Sequence, residues 1–344
     1  MATDERNKHG LQRYIRADIR RRIRQRCGFG CVRCGRAIID YEHFDPPFHE
    51  CTDHVAEGIT LLCIECHGLK ERGWIDAGEI RDADADPFCK REGFSFGPFY
   101  IGRKEIPEIR VGVVIMRNVK CALRINGDEI LSIKAPETEG GPFLLSAQFF
   151  DISGKRIMSV VDNEWRVRSE NWDVQAEGEK KNGKGGGKIT IRRAPGDIAL
   201  QIRVEPPNLF IVERLEMEHK GVKISCSEGK PLTVQTVEGI SMKTEGWEIN
   251  EADEGIIFEE GILSAARSPE SGRRSNIYIK SMSFSTTGAA KSSISGESRE
   301  NSEQSYSEFQ RGPLVSEFVF NRVRNSPCPC RGGRLYKDCH GKLF

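Results

Sequence analysis

The chain has 344 residues, 52 Lys/Arg against 51 Asp/Glu, and twelve cysteines. That length suits two or three domains with a sizeable core; it holds no run of 18 apolar residues to span a membrane, and its polar first 30 residues lack the apolar stretch of a secretory signal, so a cytoplasmic protein with no membrane partner is expected. A net charge of +1 does not exclude nucleic acid, because an average hides polarity along the chain, and cysteines clustered at short spacing in a reducing compartment point to metal ligation rather than disulfides.

Residues 1–30 carry nine Lys/Arg against three acids. Within them, residues 11–26 contain neither Pro nor Gly and set Tyr14, Ile15, Ile19 and Ile23 along a narrow apolar stripe. This predicts a basic N-terminal helix closing the segment 1–26. Its arginines, Arg20, Arg21, Arg22 and Arg24 foremost, are suited to replacing counterions on a phosphate backbone. A solvated helix face packed on the next domain is the plainer alternative.

Residues 27–92 carry the first cysteine cluster. Cys31 and Cys34 form one C-x2-C pair, Cys63 and Cys66 a second. Each pair sets two thiolates on one turn, and two such turns close a tetrahedral zinc site. Cys27 and Cys51 are spare thiols, and Cys27 is placed to displace one of the four. Between the pairs lies Tyr41-Glu42-His43-Phe44, and His67 directly follows Cys66. A carboxylate beside one imidazole, with a second imidazole delivered after a metal-fixed cysteine, is a donor set for a hard divalent cation such as Mg2+ or Mn2+. A neutral histidine beside it is suited to take a proton from water.

Over residues 31–73 the motifs CVRC, YEHF and LLCIECHGLK resemble the HNH endonucleases. The resemblance implies a ββα-metal finger in which His43 is the general base, Glu42 and His67 hold the catalytic divalent metal, and Lys70 meets phosphate. It also implies that Cys31, Cys34, Cys63 and Cys66 hold a separate structural zinc. The middle Asn of that family has no counterpart in Ala56-Glu57-Gly58-Ile59-Thr60. Asp53, His54 and Glu57 are the nearby residues to take its place.

From residue 93 the pattern changes. Short apolar runs at 111–116, 130–133, 143–150, 157–161, 189–191 and 198–204 alternate with turn residues, and Ile198, Leu200, Ile202 and Val204 alternate strictly. This predicts an antiparallel, sandwich-like β domain over 93–226. The stretch 177–188 spells G-x4-G-K, but Gly185 follows where a phosphate loop needs Ser or Thr, so it reads as a glycine-lysine hairpin. Residues 227–285 continue in strand-like pieces with glycine turns, and 286–320 read as a Ser/Glu-rich linker. Cys89, Cys121 and Cys226 stand alone, as buried thiols do.

The tail, 321–344, brings Cys328, Cys330, Cys339 and His340 within thirteen residues. Three thiols and an imidazole at this spacing chelate a second structural zinc with few other contacts. The segment resembles the SEC-C motif, which implies a zinc knuckle that docks a protein or nucleic-acid partner.

These features together predict a multidomain α+β chain: an N-terminal HNH ββα-metal finger, a central antiparallel β domain and a C-terminal zinc knuckle. The function expected is metal-dependent hydrolysis of DNA with low intrinsic sequence specificity, by analogy in bacterial defence or a mobile element. The competing expectation is a non-catalytic adaptor that uses two zinc modules to bind nucleic acid or a partner.

Overall fold

A computed structural model of the chain describes residues 6–99, 101, 105–181, 184–236, 239–259, 262–267 and 276–286. The tail ligands Cys328, Cys330, Cys339 and His340 and the 286–320 linker beyond Thr286 lie outside these residues.

The basic segment forms helix α1 (Ala17–Cys27). It starts at Ala17 rather than residue 11 because the preceding residues are held as a strap. Arg6 bridges Gln12, Ile15 is buried, and Arg16 is extended (φ −58°, ψ 149°). Asp18 in the first turn and Arg24 and Arg26 in the last complement the helix dipole. Gly28, left-handed at φ 76°, closes it with its N–H on the Arg24 carbonyl.

Strand β1 (Ile39–His43) pairs antiparallel with β2 (Ile59–Cys63), which runs straight into α2 (Ile64–Glu71). A capping box between Asp76 and Glu79 starts α3 (Ala77–Ala85), and α4 (Phe88–Glu92) follows. Every residue of β2 is buried, because α1 and α2 both pack against it. Ile23, Leu61, Leu62 and Ile80 lie at the centre of this small core.

The rest of the described chain is strand. One sheet runs, in spatial order, β19 (Ile262–Arg267), β18 (Glu254–Glu259), β6 (Cys121–Ile125), β7 (Asp128–Lys134), β8 (Leu144–Phe150), β9 (Arg156–Val161), β10 (Glu164–Arg168) and β3 (Phe94–Pro98). The second starts with β11 (Asp173–Lys181), β12 (Lys184–Ala194), β13 (Asp197–Glu205) and β14 (Leu209–His219). It continues through β15 (Val222–Ser227), β16 (Leu232–Thr236), β17 (Ile240–Asn250), β5 (Val114–Arg117) and β4 (Glu108–Val111), with β20 (Asn276–Thr286) on the outer edge of β17.

Within that sheet, β14 and β17 flank two hairpins laid end to end. β14 gives one edge to β13 and the other to β4 and then β15; the inner edge of β17 takes β16 and then β5. The hairpin tips meet at Gly112 (φ +59°), where an added Cβ would lie 2.8 Å from the Lys230 carbonyl oxygen. No other residue fits there without moving backbone.

The two sheets share one continuous core in which Phe149, Trp165, Phe210 and Trp247 are fully buried. Phe99 bridges the layers, its ring 6.0 Å from Trp165 of β10 and 5.8 Å from Phe210 of β14.

This architecture corrects the expected class. Among the described residues the chain is mostly β, with 51% strand against 16% helix, so the multidomain α+β organisation with an N-terminal ββα-metal finger does not hold. The physical reason is that the α-helices are only 5–11 residues long and none builds a layer of its own. The sheets are not purely antiparallel either: β4, β5 and β6 pair in parallel with β14, β17 and β18. Those pairings put strands from 227–285 into the same sheets as strands from 93–226. No helix among the described residues is long and apolar enough to cross a membrane.

The N-terminal elements are fused to the sheets rather than tethered. The Ala37 N–H and the Gly35 carbonyl bond the two backbone groups of Phe96 in β3, at 2.8 and 3.1 Å. Arg24 makes a two-pronged pair with Asp173 at the start of β11, both bonds at 2.9 Å, and donates to the Tyr41 hydroxyl of β1 at 2.8 Å. Both charges are buried, with Asp173 at 0% side-chain exposure. Removing either partner would strand the other without water.

Candidate metal centres and catalytic residues

Cys31 and Cys34 sit on the turn between α1 and β1. The turn closes through the Gly35 N–H on the Cys31 carbonyl and the Cys31 N–H on the Arg36 carbonyl, at 2.9 and 2.8 Å. Gly35 is required there: its φ is +79°, and an added Cβ would stand 2.5 Å from the Phe88 ring. Cys63 ends β2 and caps α2, its sulfur accepting the Cys66 N–H. Strand pairing and the cap thus bring both pairs together, and the four Sγ atoms lie within 4.8 Å of one another.

This is a four-cysteine cluster able to hold a metal ion. Cys34 Sγ stands 3.5 Å from Cys63 Sγ and 3.9 Å from Cys66 Sγ. Four thiolates on a tetrahedral zinc are separated by about 3.8 Å, so the cluster has the right size for that ion. Its electrostatics ask for a cation too. Hydrogen bonding from Cys34 and from backbone N–H groups holds Cys31 at a pKa of about 5, against the effect of burial. Burial and the neighbouring sulfurs then push Cys66 up to about 12. One thiolate opposes the next unless a positive ion sits among them.

The spare thiols stay outside. Cys27 is fully buried, pushed up to about 12 mainly by burial, with Thr60 and Asp84 as its neighbours. The Cys51 thiol donates to the Pro46 carbonyl at 3.3 Å. None of the nine described cysteines forms a disulfide.

The second group lies across β1 and α2. His67 Nε2 is 3.0 Å from Glu42 Oε2 and 3.8 Å from Glu71 Oε1, while His67 Nδ1 is 3.8 Å from Asp40 Oδ2. Glu42, His67 and Glu71 offer ligand atoms that converge closely enough for one ion. Two carboxylates and an imidazole suit Mn2+ or Mg2+ better than a soft ion. Lys70 stands in the same place, its ammonium 2.5 Å from Glu42 Oε1 and 3.6 Å from Glu71 Oε1. Burial works against that charge, yet the two carboxylates raise the Lys70 pKa. The pair of acids therefore already binds one cation, and a divalent ion would have to move Lys70 aside.

The pleat of β1 sends His43 to the face opposite Glu42. Its Nε2 lies 2.9 Å from His54 Nδ1, and among the described residues no hydrogen bond joins it to Glu42, His67 or Lys70. Burial, then the charges of His54 and Arg13, lower the His43 pKa to about 4. At neutral pH the ring is uncharged and has a lone pair to offer.

The arginines of α1 divide. Arg24 is buried against Asp173 and does not reach the surface. Arg21 lies on the Trp172 ring at 4.8 Å, with Asp173 at 3.6 Å. Arg20 covers Tyr14, and Arg22 pairs with Glu57 at 2.8 Å with both side chains well exposed. Of the four, Arg22 is exposed and Arg20 and Arg21 are half-buried, so these three can meet a phosphate backbone and Arg24 cannot.

Sequence reasoning missed Glu71 and Asp173. Glu71 has a signal, since it sits four residues after His67 on one helix face. Asp173 has none, because it meets Arg24 through tertiary folding. His54 is a sequence candidate only as a stand-in for the absent Asn, and its contact with His43 comes from tertiary folding. No family model, curated protein or solved structure matches the chain.

Proposed function

We propose that the chain is a metal-dependent endonuclease of HNH type that hydrolyses DNA phosphodiesters. The observation that carries this reading is the convergence of Glu42, His67 and Glu71 beside a four-cysteine cluster, with a neutral histidine next along β1. In this reading the cluster holds zinc and fixes the start of α2, from which His67 and Lys70 project. Glu42, His67 and Glu71 would hold a divalent cation such as Mg2+ or Mn2+, which supplies Lewis-acid stabilisation of charge on a phosphodiester. His43, the next residue along β1, would take a proton from water, which requires the substrate to reach the face of β1 opposite Glu42. Lys70, beside Glu42, would meet a phosphate oxygen once those carboxylates were occupied. Arg20, Arg21 and Arg22 hold the strand through its backbone, which positions DNA without reading its sequence. The C-terminal cysteines would carry a second zinc and a partner-docking role.

The test is incubation of pure protein with supercoiled plasmid and Mg2+ or Mn2+, beside His43→Ala. Expected is metal-dependent nicking that falls by about 10²–10⁴-fold in the variant, the usual contribution of a general base. Binding without cleavage under any divalent ion would sink the reading. It would favour a non-catalytic adaptor, for which the specific observation is Lys70 already neutralising Glu42.

A further inference from the structure

The buried contact between two imidazoles carries more than packing. His54 Nε2 lies 2.8 Å from the carbonyl oxygen of Gln12, which can only accept, so that nitrogen carries a proton. In a neutral ring His54 Nδ1 is then the acceptor. His43 Nε2, 2.9 Å away, must donate to it. With its proton fixed on Nε2, neutral His43 has a bare Nδ1. That atom makes no hydrogen bond among the described residues and is not one of the buried polar atoms sealed from solvent without a partner.

The surroundings lock this arrangement. His43 and His54 are 8% and 9% exposed. The Phe48 ring stands 5.3 Å from His43 and lies stacked 6.5 Å from His54, and the Arg13 guanidinium covers Phe48 at 4.6 Å. The loop that delivers His54 is clamped by Asn7, whose Nδ2 donates to the carbonyls of Phe48 and Cys51, both at 2.7 Å. The Asp53 carboxylate accepts the His54 backbone N–H at 2.7 Å. The strap before α1 thus meets the histidine pair at Gln12 and its loop at Asn7.

We propose that His54 is a positioning residue for the hydrolysis. By accepting a hydrogen bond from His43 Nε2–H at its Nδ1 and donating one from its own Nε2–H to the Gln12 carbonyl, it selects the tautomer of His43 whose Nδ1 receives the proton of water. The inference rests on the endonuclease reading for the reaction it serves, and on the two hydrogen bonds for the relay. A wrong tautomer at a histidine base disables it while leaving its position unchanged.

The relay is tested on the full chain with two readouts. Long-range 1H–15N correlation spectra of histidine-labelled protein read the tautomer directly. The wild type should show His43 protonated at Nε2 and bare at Nδ1, and His54→Leu should show mixed tautomers. Plasmid nicking with Mn2+ gives the second: His54→Leu should lower kcat by about 100-fold with KM within about twofold, and His54→Asn, which keeps an acceptor oxygen, should recover to within about tenfold of wild type. Unchanged zinc content and circular dichroism confirm that the variants fold; if His54→Leu does not, the wild-type tautomer and His54→Asn decide. A wild-type His43 protonated at Nδ1 overturns the relay, as does a folded His54→Leu that cleaves at the wild-type rate. A wild type that cleaves nothing but shows the Nε2 tautomer overturns the endonuclease reading and leaves the relay standing.

Discussion

The two large sheets and the N-terminal elements are held by different means. Among the described residues the sheets share a core of 47 buried residues that runs from Phe29 to Leu263 and includes two fully buried tryptophans. Truncating any one of its aromatics would cost about 3–5 kcal/mol and leave most of the area in place. The N-terminal core has only fourteen buried residues, and four of them are cysteines. So small a core needs a staple. It also buries Glu42, His43, His54 and Thr60, while the sheets bury the Arg203–Glu213 ion pair between β13 and β14. The contrast teaches that the sheets supply stability by area, while the small region has little area and sets a four-cysteine cluster able to hold a metal among its few buried residues. The two are nonetheless one structure, since Phe29 and Ala37 belong to the large core.

The sharpest way to break this comparison is to remove the staple. Chelation, or Cys63→Ser, should unfold the N-terminal elements while the sheets persist, because metal binding to such clusters supplies about 10 kcal/mol or more. Limited proteolysis should then cut between residues 6 and 92 and spare the strands. A chain that stays protease-resistant throughout after verified metal loss would show that the cluster is not what holds this region.

The next effect concerns the joint. Asp173→Ala leaves Arg24 buried without its partner and should destabilise the chain by about 3–5 kcal/mol. Replacing both, as Arg24→Met with Asp173→Leu, should recover most of that. Chemical denaturation measures both. A single variant within about 0.5 kcal/mol of wild type, the range of an ordinary surface change, would mean that the two regions are not coupled through this pair.

The smallest effect is on pH. The His43 pKa is depressed to about 4 in the folded chain, against about 6.5 when unfolded. Protonation therefore favours the unfolded state. The neutral buried ring stabilises fully above pH 6.5, and this contribution, up to about 3 kcal/mol, is lost as pH falls toward 4. The pH dependence of the denaturation midpoint over that window should be shallower in His43→Phe than in wild type. Identical slopes would show that His43 is not buried in its neutral form.

Much of the chemistry is legible in the chain itself. The spacing of Cys31, Cys34, Cys63 and Cys66 depends on local turns, so it can be read before any fold is known. Glu42 and His67 come together because β1 and α2 are both anchored to those turns. Legibility fails where partners are distant. Arg24 looks like one more basic residue on a charged helix, yet Asp173, 149 positions later, turns it into a buried joint. The alternation of Ile198 to Val204 shows a strand but not its neighbours, and the parallel pairings of β4, β5 and β6 with β14, β17 and β18 leave no mark in composition.

Sequence alone determined that cysteines would cluster and that a near-zero net charge hid a basic N-terminus, because both are properties of neighbours along the chain. Tertiary structure decided that the molecule is mostly β, which arginines remain at the surface, and that His54 answers His43. Those outcomes depend on burial and on contacts between segments far apart in sequence, which no local pattern encodes.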